Sequence, residues 1–343
     1  MKTETQFISG DTTNVEYALR IVRFAGTGHG PTVYMQAGLH AQELPGFVAI
    51  ERLLPLLETA EAEGRIRSKI TLVPHANPIG QAQALFHDNL GRFDFHARTN
   101  FNRSFPLPGG PTYDPQLGTA VAFLKSTLMD LSEDADIVLD LHCDDEGPVY
   151  LYVPDACWPE AQKLGDALGA VAVLTWIGEG GGAFEDAVIK RWLATHAGRP
   201  LTGKVVSTVE LRGMLDVDTD LADTDAAGLY AYLVAIGAVE DQLAAKASTN
   251  PVVQDQTHVD MIKAPMAGAI LYRVKPGDIV VAGQTIAEIV PGDSRIPSYD
   301  ILAPRAGLVL TRRARRYARR GDDIAKIVCD SPSSELPGGP LEP

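Results

Sequence analysis

Short apolar runs alternate along the first 250 residues with stretches whose apolar positions recur at helical spacing. Residues 31–39, PTVYMQAGL, predict a buried strand, and ELPGFVAIERLLPLLETA from Glu43 predicts a helix with Phe47, Ile50, Leu54 and Leu57 on one face. A second strand, KITLVPHANP, ends at the Asn77-Pro78 turn signal. Residues 91–115 carry Pro and Gly without periodicity and predict a long ordered loop; within compact domains such loops are usually functional. A helix at about 116–130 then leads into the strand ADIVLDLH. Next come a strand at VYLYV, a helix from about Pro159 to Leu168, and the short strand VAVLT. The Gly-rich turn GEGGG precedes a helix from Phe184 to Thr195. The strand GKVVSTVEL and a long Ala-rich helix from Leu221 to about Ala245 complete this part.

Strands alternating with helices predict an α/β domain over 1–250, a mixed or mostly parallel sheet flanked by helices. In such sheets, sites gather at the carboxyl ends of strands, where His40, His142 and Glu210 lie. After about Asn250 the pattern changes to short Val/Ile-rich strands between Gly and Pro. APMAGAILYRVKPGDIVVAGQTIAEIV (264–290) parallels APRAGLVLTRRARRYARRGDDIAKIV (303–328). Two copies of one β unit predict a small barrel or flattened sandwich over 258–330 with pseudo-twofold symmetry. Residues 331–343 read as a disordered tail.

Composition narrows the function. The 343 residues include 45% apolar and 22% charged side chains, an ordinary globular balance. A net charge of −14 argues against general affinity for nucleic acid or an anionic membrane. The three cysteines, Cys143, Cys157 and Cys329, form a poor disulfide framework and suit a reducing compartment. The polar start MKTETQFISGDTTN lacks the apolar core of a signal peptide. No run approaches the roughly 18–20 apolar residues of a membrane span, so a cytoplasmic protein is expected.

His40-Ala-Gln-Glu43 places an imidazole and a carboxylate three residues apart where a strand enters a helix, so both can face one ion. His142, ending IVLDLH, is the natural third ligand. Two His and one carboxylate with a fourth position open to water form a catalytic zinc shell, in which the metal acidifies water and polarises a carbonyl. Asp140 could orient His142 from the same strand face. Hydrolysis also needs a base, an oxyanion donor and a substrate grip. Glu210 ends an apolar strand, where a carboxylate needs a role or a partner such as Arg212. The loop GRFDFHARTNFNRSFP offers Arg92, Arg98 and Arg103 with Asn102 for an anionic substrate.

HAQE (40–43), NFNR (100–103), DLH (140–142) and VEL (209–211) occur in an order that resembles the zinc carboxypeptidase superfamily, and most closely its succinylglutamate desuccinylase/aspartoacylase branch. The resemblance covers about 31–245 and extends to the C-terminal β module. It implies a zinc-carboxypeptidase-like fold, one zinc per chain held by His40, Glu43 and His142, and Glu210 as general base and acid. It further implies that Asn102 and Arg103 grip a substrate carboxylate. An upstream arginine would polarise the scissile carbonyl: Arg92 fits the spacing, with Arg98 as the alternative. No motif places the substrate-contacting tyrosine of these enzymes, and Tyr299 is a guess. HAQE adds a methyl at position 41 to the usual HGxE, Phe101 replaces a more usual Leu, and Arg212 follows VEL.

The expected activity is therefore a zinc-dependent amidohydrolase (deacylase) acting on a small N-acylated amino acid or related carboxylate. A metallocarboxypeptidase acting on short peptides and a catalytically decayed binding or assembly protein are the alternatives. The β module resembles a lipoyl/biotinyl-type fold, but the hairpin between its halves, PGDSRIPSYD, has no lysine to carry a prosthetic group. RRARRYARR (312–320) reads as a solvated face pairing with acidic surface such as DVDTDLADTD, and GEGGG (178–182) as a pocket rim. His75, His87 and His96 read as core or loop residues. An exposed edge of the β module would favour a homo-oligomer.

Overall fold

The computed structural model describes residues 1–107, 118–178, 181–243 and 248–334. The strands of the first part are β1 (Lys2–Ser9), β2 (Glu16–Phe24), β3 (Val33–Ala37), β4 (Ile70–Val73), β5 (Ala84–Leu85) and β6 (Asp88–Asn89). They continue with β7 (Ile137–Asp144), β8 (Val149–Pro154), β9 (Ala172–Trp176), β10 (Val205–Gly213) and β11 (Val252–Asp255). The helices are α1 (Pro45–Ala62), α2 (Pro78–Gln81), α3 (Ala120–Leu131), α4 (Gln162–Leu168), α5 (Phe184–His196) and α6 (Thr219–Ala235). β5 and β6 pair only with each other; the other nine form one mixed sheet ordered β1-β2-β4-β3-β7-β10-β8-β9-β11.

The central strands β4, β3, β7 and β10 run parallel, and β8 returns antiparallel beside β10. They are apolar on both sides because helices cover both faces. Ala37 and Leu141 meet the first turn of α1, and Gly46 permits this approach, since a Cβ there would lie 2.7 Å from Leu141 Cβ. On the opposite face Tyr34 packs against Phe184 of α5, ring centroids 6.0 Å apart. Among the described residues no helix is long and apolar enough to cross a membrane.

The C-terminal module contains β12 (Val259–Lys263), β13 (Gly268–Tyr272), β14 (Ile279–Val280), β15 (Thr285–Val290), β16 (Tyr299–Leu302), β17 (Gly307–Arg312), β18 (Tyr317–Ala318) and β19 (Asp323–Cys329). They form two four-stranded sheets, β12-β19-β17-β14 and β16-β15-β13-β18. The repeats interlock, for β14 of the first copy pairs with β17 of the second, and β18 of the second with β13 of the first. Equivalent glycines mark the symmetry: a Cβ on Gly268 would lie 2.4 Å from Val290 O, and one on Gly307 2.3 Å from Val328 O. A hydrophobic cluster of Tyr150, Leu174, Val259, Leu310 and Val328 joins the module to the main sheet.

Several expectations are corrected. The N-terminal hairpin β1–β2 has no counterpart in the sequence reading; its half-exposed strands give only weak alternation. β11 pairs with β9, so the main sheet extends past residue 250. α6 stops at Ala235 because Gly237 takes φ 74, while Ala238 N–H closes back on Leu233 O (2.8 Å). Residues 244–247, within the expected helix, lie outside the described residues, as do 108–117 of the long loop and its following helix start. The tail is tied down at its start, where Ser331 O accepts from Arg305 (2.6 Å) and Ser333 N–H donates to Thr257 O (2.7 Å); residues 335–343 lie outside the described residues. Arg312 and Arg316 of the basic segment pair with Glu146, not with residues 216–225.

Candidate metal centre and substrate cavity

His40 and Glu43 lie on the turn between β3 and α1, closed by Glu43 N–H donating to His40 O (2.9 Å). The turn directs both side chains toward β7, where His142 faces them. All three are buried, at 4%, 3% and 3% exposure, and their candidate ligand atoms lie within 4.8 Å of one another. Glu43 Oε1 is 2.9 Å from His40 Nδ1, and Oε2 is 2.8 Å from His142 Nδ1.

The outer ring nitrogens define the tautomers. His40 Nε2 is 2.8 Å from Asn100 Oδ1, an oxygen that also accepts from Asn102 N–H (2.8 Å). His142 Nε2 is 2.9 Å from Asp140 Oδ2. Assigning the hydrogen to each Nε2, on the strength of these oxygen partners, leaves both Nδ1 lone pairs converging with the Glu43 carboxylate. Three converging donors repel unless a cation sits among them, and imidazole with carboxylate suits a divalent metal ion.

Glu210 on β10 is the cross-strand neighbour of His142. Its Oε2 is buried without a hydrogen-bond partner. Burial, opposed by His142 and reinforced by Asp144 and Glu43, pushes the carboxyl up to about 8. Arg212 does not neutralise it, being paired with Asp225. Arg92 lies 3.2 Å from Glu43 Oε1 and 3.3 Å from His40 Nδ1.

A cavity of about 180 Å³ opens on this cluster, lined among others by Arg92, Asn102, Arg103 and Glu210. Asn102 Oδ1 accepts from Phe184 N–H (2.8 Å), and Arg103 donates to Asn102 O (2.6 Å). Arg98 is exposed, at φ 56, and does not line the cavity; the turn closed by its N–H on Asp94 O (2.8 Å) carries it away. Tyr299 is also misplaced by the sequence reading: it lies on β16, 52% exposed, away from the cavity. Among the described residues, the tyrosine that lines the cavity is Tyr152 of β8. Asn100, Trp176, Glu185 and Thr208 were likewise missed.

Lys326 was missed too, although a lysine inside the apolar run DIAKIVC is a legible signal. It reaches from β19 into the cavity wall and donates to Asp144 Oδ2 (2.5 Å), which also accepts from Tyr150 (2.7 Å). Burial alone would lower the Lys326 pKa, but Asp144 raises it well above the ordinary lysine value.

Over 318 residues the chain is 27% identical to the N-alpha-acetyl-L-2,4-diaminobutyric acid deacetylase of Halomonas elongata, covering 88% of this chain and 82% of that protein. Its fold is similar to the crystal structure of a succinylglutamate desuccinylase/aspartoacylase family protein from Shewanella amazonensis, with a TM-score of 0.83 at 24% identity over 96% of this chain and 99% of the other. The product-bound ectoine utilization protein EutE of Ruegeria pomeroyi gives a TM-score of 0.75 at 19% identity, over 96% and 94% of the two chains. Residues 29–236, which hold His40, Glu43, His142 and Glu210, match the succinylglutamate desuccinylase/aspartoacylase catalytic domain, and the chain belongs to that family.

Proposed function

We propose that this protein is a zinc-dependent amidohydrolase that removes the acyl group from a small N-acylated amino acid or related carboxylate. The observation that carries the reading is the convergence of two Nδ1 lone pairs and the Glu43 carboxylate in a cavity that Glu210 also lines, with its Oε2 buried and unpartnered. The Halomonas relative, a deacetylase of an N-acetylated amino acid, supports the substrate class. His40, Glu43 and His142 would hold the zinc, which would supply Lewis acidity for the carbonyl and a more acidic water.

Glu210 takes a proton from the attacking water and returns it to the departing amine, its unpartnered Oε2 being free for both transfers. Arg92, beside Glu43, stabilises the oxyanion formed on the substrate carbonyl. Asn102 and Arg103 hold a carboxylate, and the α5 contact of Asn102 fixes their position. The β module, read as a lipoyl/biotinyl-like unit without a carrier lysine, serves as a wall of the site through Lys326.

The small cavity favours deacylation over cleavage of peptides, which need an open groove. The test combines bound-zinc measurement with turnover of N-acyl amino acids and short peptides. His142→Ala is expected to lose zinc and activity together. Glu210→Gln should keep zinc and lose about 10²–10⁴ in kcat. Full activity in either variant would sink the mechanism, and faster turnover of peptides would favour the carboxypeptidase reading.

A further inference from the structure

Lys125 is a charged residue where the pattern of α3 calls for an apolar one. It stands with Val121, Leu124 and Leu128 on the buried face of the helix and is itself 5% exposed. Its ammonium donates to Arg103 O (2.6 Å) and, at the long end of the hydrogen-bond range, to Asn100 O (3.4 Å). It also lies 5.6 Å from the centre of the Phe105 ring. Burial pushes its pKa down to about 8, against the pull of Asp94. A buried ammonium costs free energy that a leucine or methionine here would not, so the placement points to what it holds.

What it holds is the turn from Asn100 to Arg103. The turn is closed by Arg103 N–H on Asn100 O (3.2 Å) and by Asn102 N–H on Asn100 Oδ1 (2.8 Å). The carbonyls of its first and last residues both accept from Lys125, so one cation fixes both ends. Between them, Asn102 Oδ1 accepts from Phe184 N–H, and Asn102 O accepts from Arg103 Nη1 (2.6 Å). The direction of the turn's carbonyls therefore sets where the Arg103 guanidinium stands. Asn102 and Arg103 line the cavity, whereas Lys125 does not. Phe105, beside the same ammonium, packs edge-on against Phe184, ring centroids 5.3 Å apart. The turn and the start of α5 thus share one support.

We propose that Lys125 is a positioning residue for recognition of the substrate carboxylate: from behind the cavity it holds the 100–103 turn in the shape that aims Asn102 and Arg103. The proposal rests on the hydrolase reading above, in which those two residues grip the carboxylate. A displacement of about 1 Å in such a grip can cost on the order of 10²-fold, so a residue that never touches substrate can govern its use. The experiment compares the zinc-loaded wild type with Lys125→Met, which keeps the length without the donors, and Lys125→Arg, which keeps a charged donor. Each is assayed with N-acetylalanine and N-acetylalaninamide, which differ only in the carboxylate. Hydrogen exchange over residues 98–106 reads the turn directly, and calorimetry with the two compounds reads binding without turnover. Zinc content and melting temperature verify folding.

The wild type should favour the acid over the amide by about 100-fold in kcat/KM, the range of charge-assisted hydrogen bonds to arginine. Lys125→Met should exchange faster over 98–106 and lose about tenfold of that preference, mainly through KM on the acid. Lys125→Arg should retain most of it. A lysine that only stabilised the fold would affect acid and amide alike. Equal losses on both compounds, or unchanged exchange in Lys125→Met, would therefore overturn the proposal while the hydrolase reading stands. A wild type that hydrolyses both without distinguishing them would overturn it as well. If the wild type binds the acid more tightly than the amide but hydrolyses neither, the hydrolase reading falls, and the ratio of dissociation constants tests Lys125 in the same way. Should Lys125→Met fail to fold, Lys125→Gln, which keeps a neutral donor, carries the comparison.

Discussion

Glu210 carries the strongest pH consequence of any single side chain in the site. Its folded carboxyl titrates at about 8 against an ordinary value of 4.5, chiefly through burial. Between these values the native state holds a proton that the unfolded chain has released, so stability falls as pH rises through the window. In chelator-treated protein, Glu210→Gln should therefore become the more stable form as pH climbs from 5 to 8. The gain should be on the order of 2–4 kcal/mol, read from urea unfolding at each pH. A constant offset between the two proteins would show that Glu210 ionises normally. At this scale His40, His142 and Glu210 were legible because each ends an apolar run, and Glu43 because it stands three residues after His40. Asn100 was not, since its value as an orienting group depends on a hydrogen bond to a ring 60 residues away.

At the scale of elements, local periodicity placed α1, α5 and the central strands, because a continuous buried face leaves a plain spacing signal. It failed for α6, whose alanines continued a helical pattern that Gly237 ends. The module repeat was legible as well, and its geometry yields a paired prediction. Gly268→Ala and Gly307→Ala each drive a methyl into a backbone carbonyl at the same place in the repeat. Each should lower stability by about 1–3 kcal/mol in thermal melts, and by similar amounts. A harmless substitution at either position would contradict the equivalence of the two copies.

Across the whole molecule, the module and the main sheet share a hydrophobic cluster and the buried Lys326–Asp144 ion pair. Lys326→Met would leave Asp144 charged and buried without its partner, at a cost of about 3–5 kcal/mol. Adding Asp144→Asn should recover much of that stability without restoring full activity, since the cavity wall is altered in both variants. Urea unfolding with parallel kinetic assays reads both outcomes. An unchanged single variant would mean that the module does not contribute to the site.

The sequence by itself determined the ligand spacing, the alternation of strands and helices, and the duplicated β unit, because each is written within a short window by spacing or self-similarity. Only the tertiary structure decided which distant groups converge. Lys326 reaches Asp144 across 182 residues, and Glu185 meets the cavity because α5 starts against Asn102. It also separated Arg92 from Arg98, six residues apart in one loop, by turning one toward Glu43 and the other to solvent. Strand order, register and helix approach settle such convergence, and they depend on how the entire core packs.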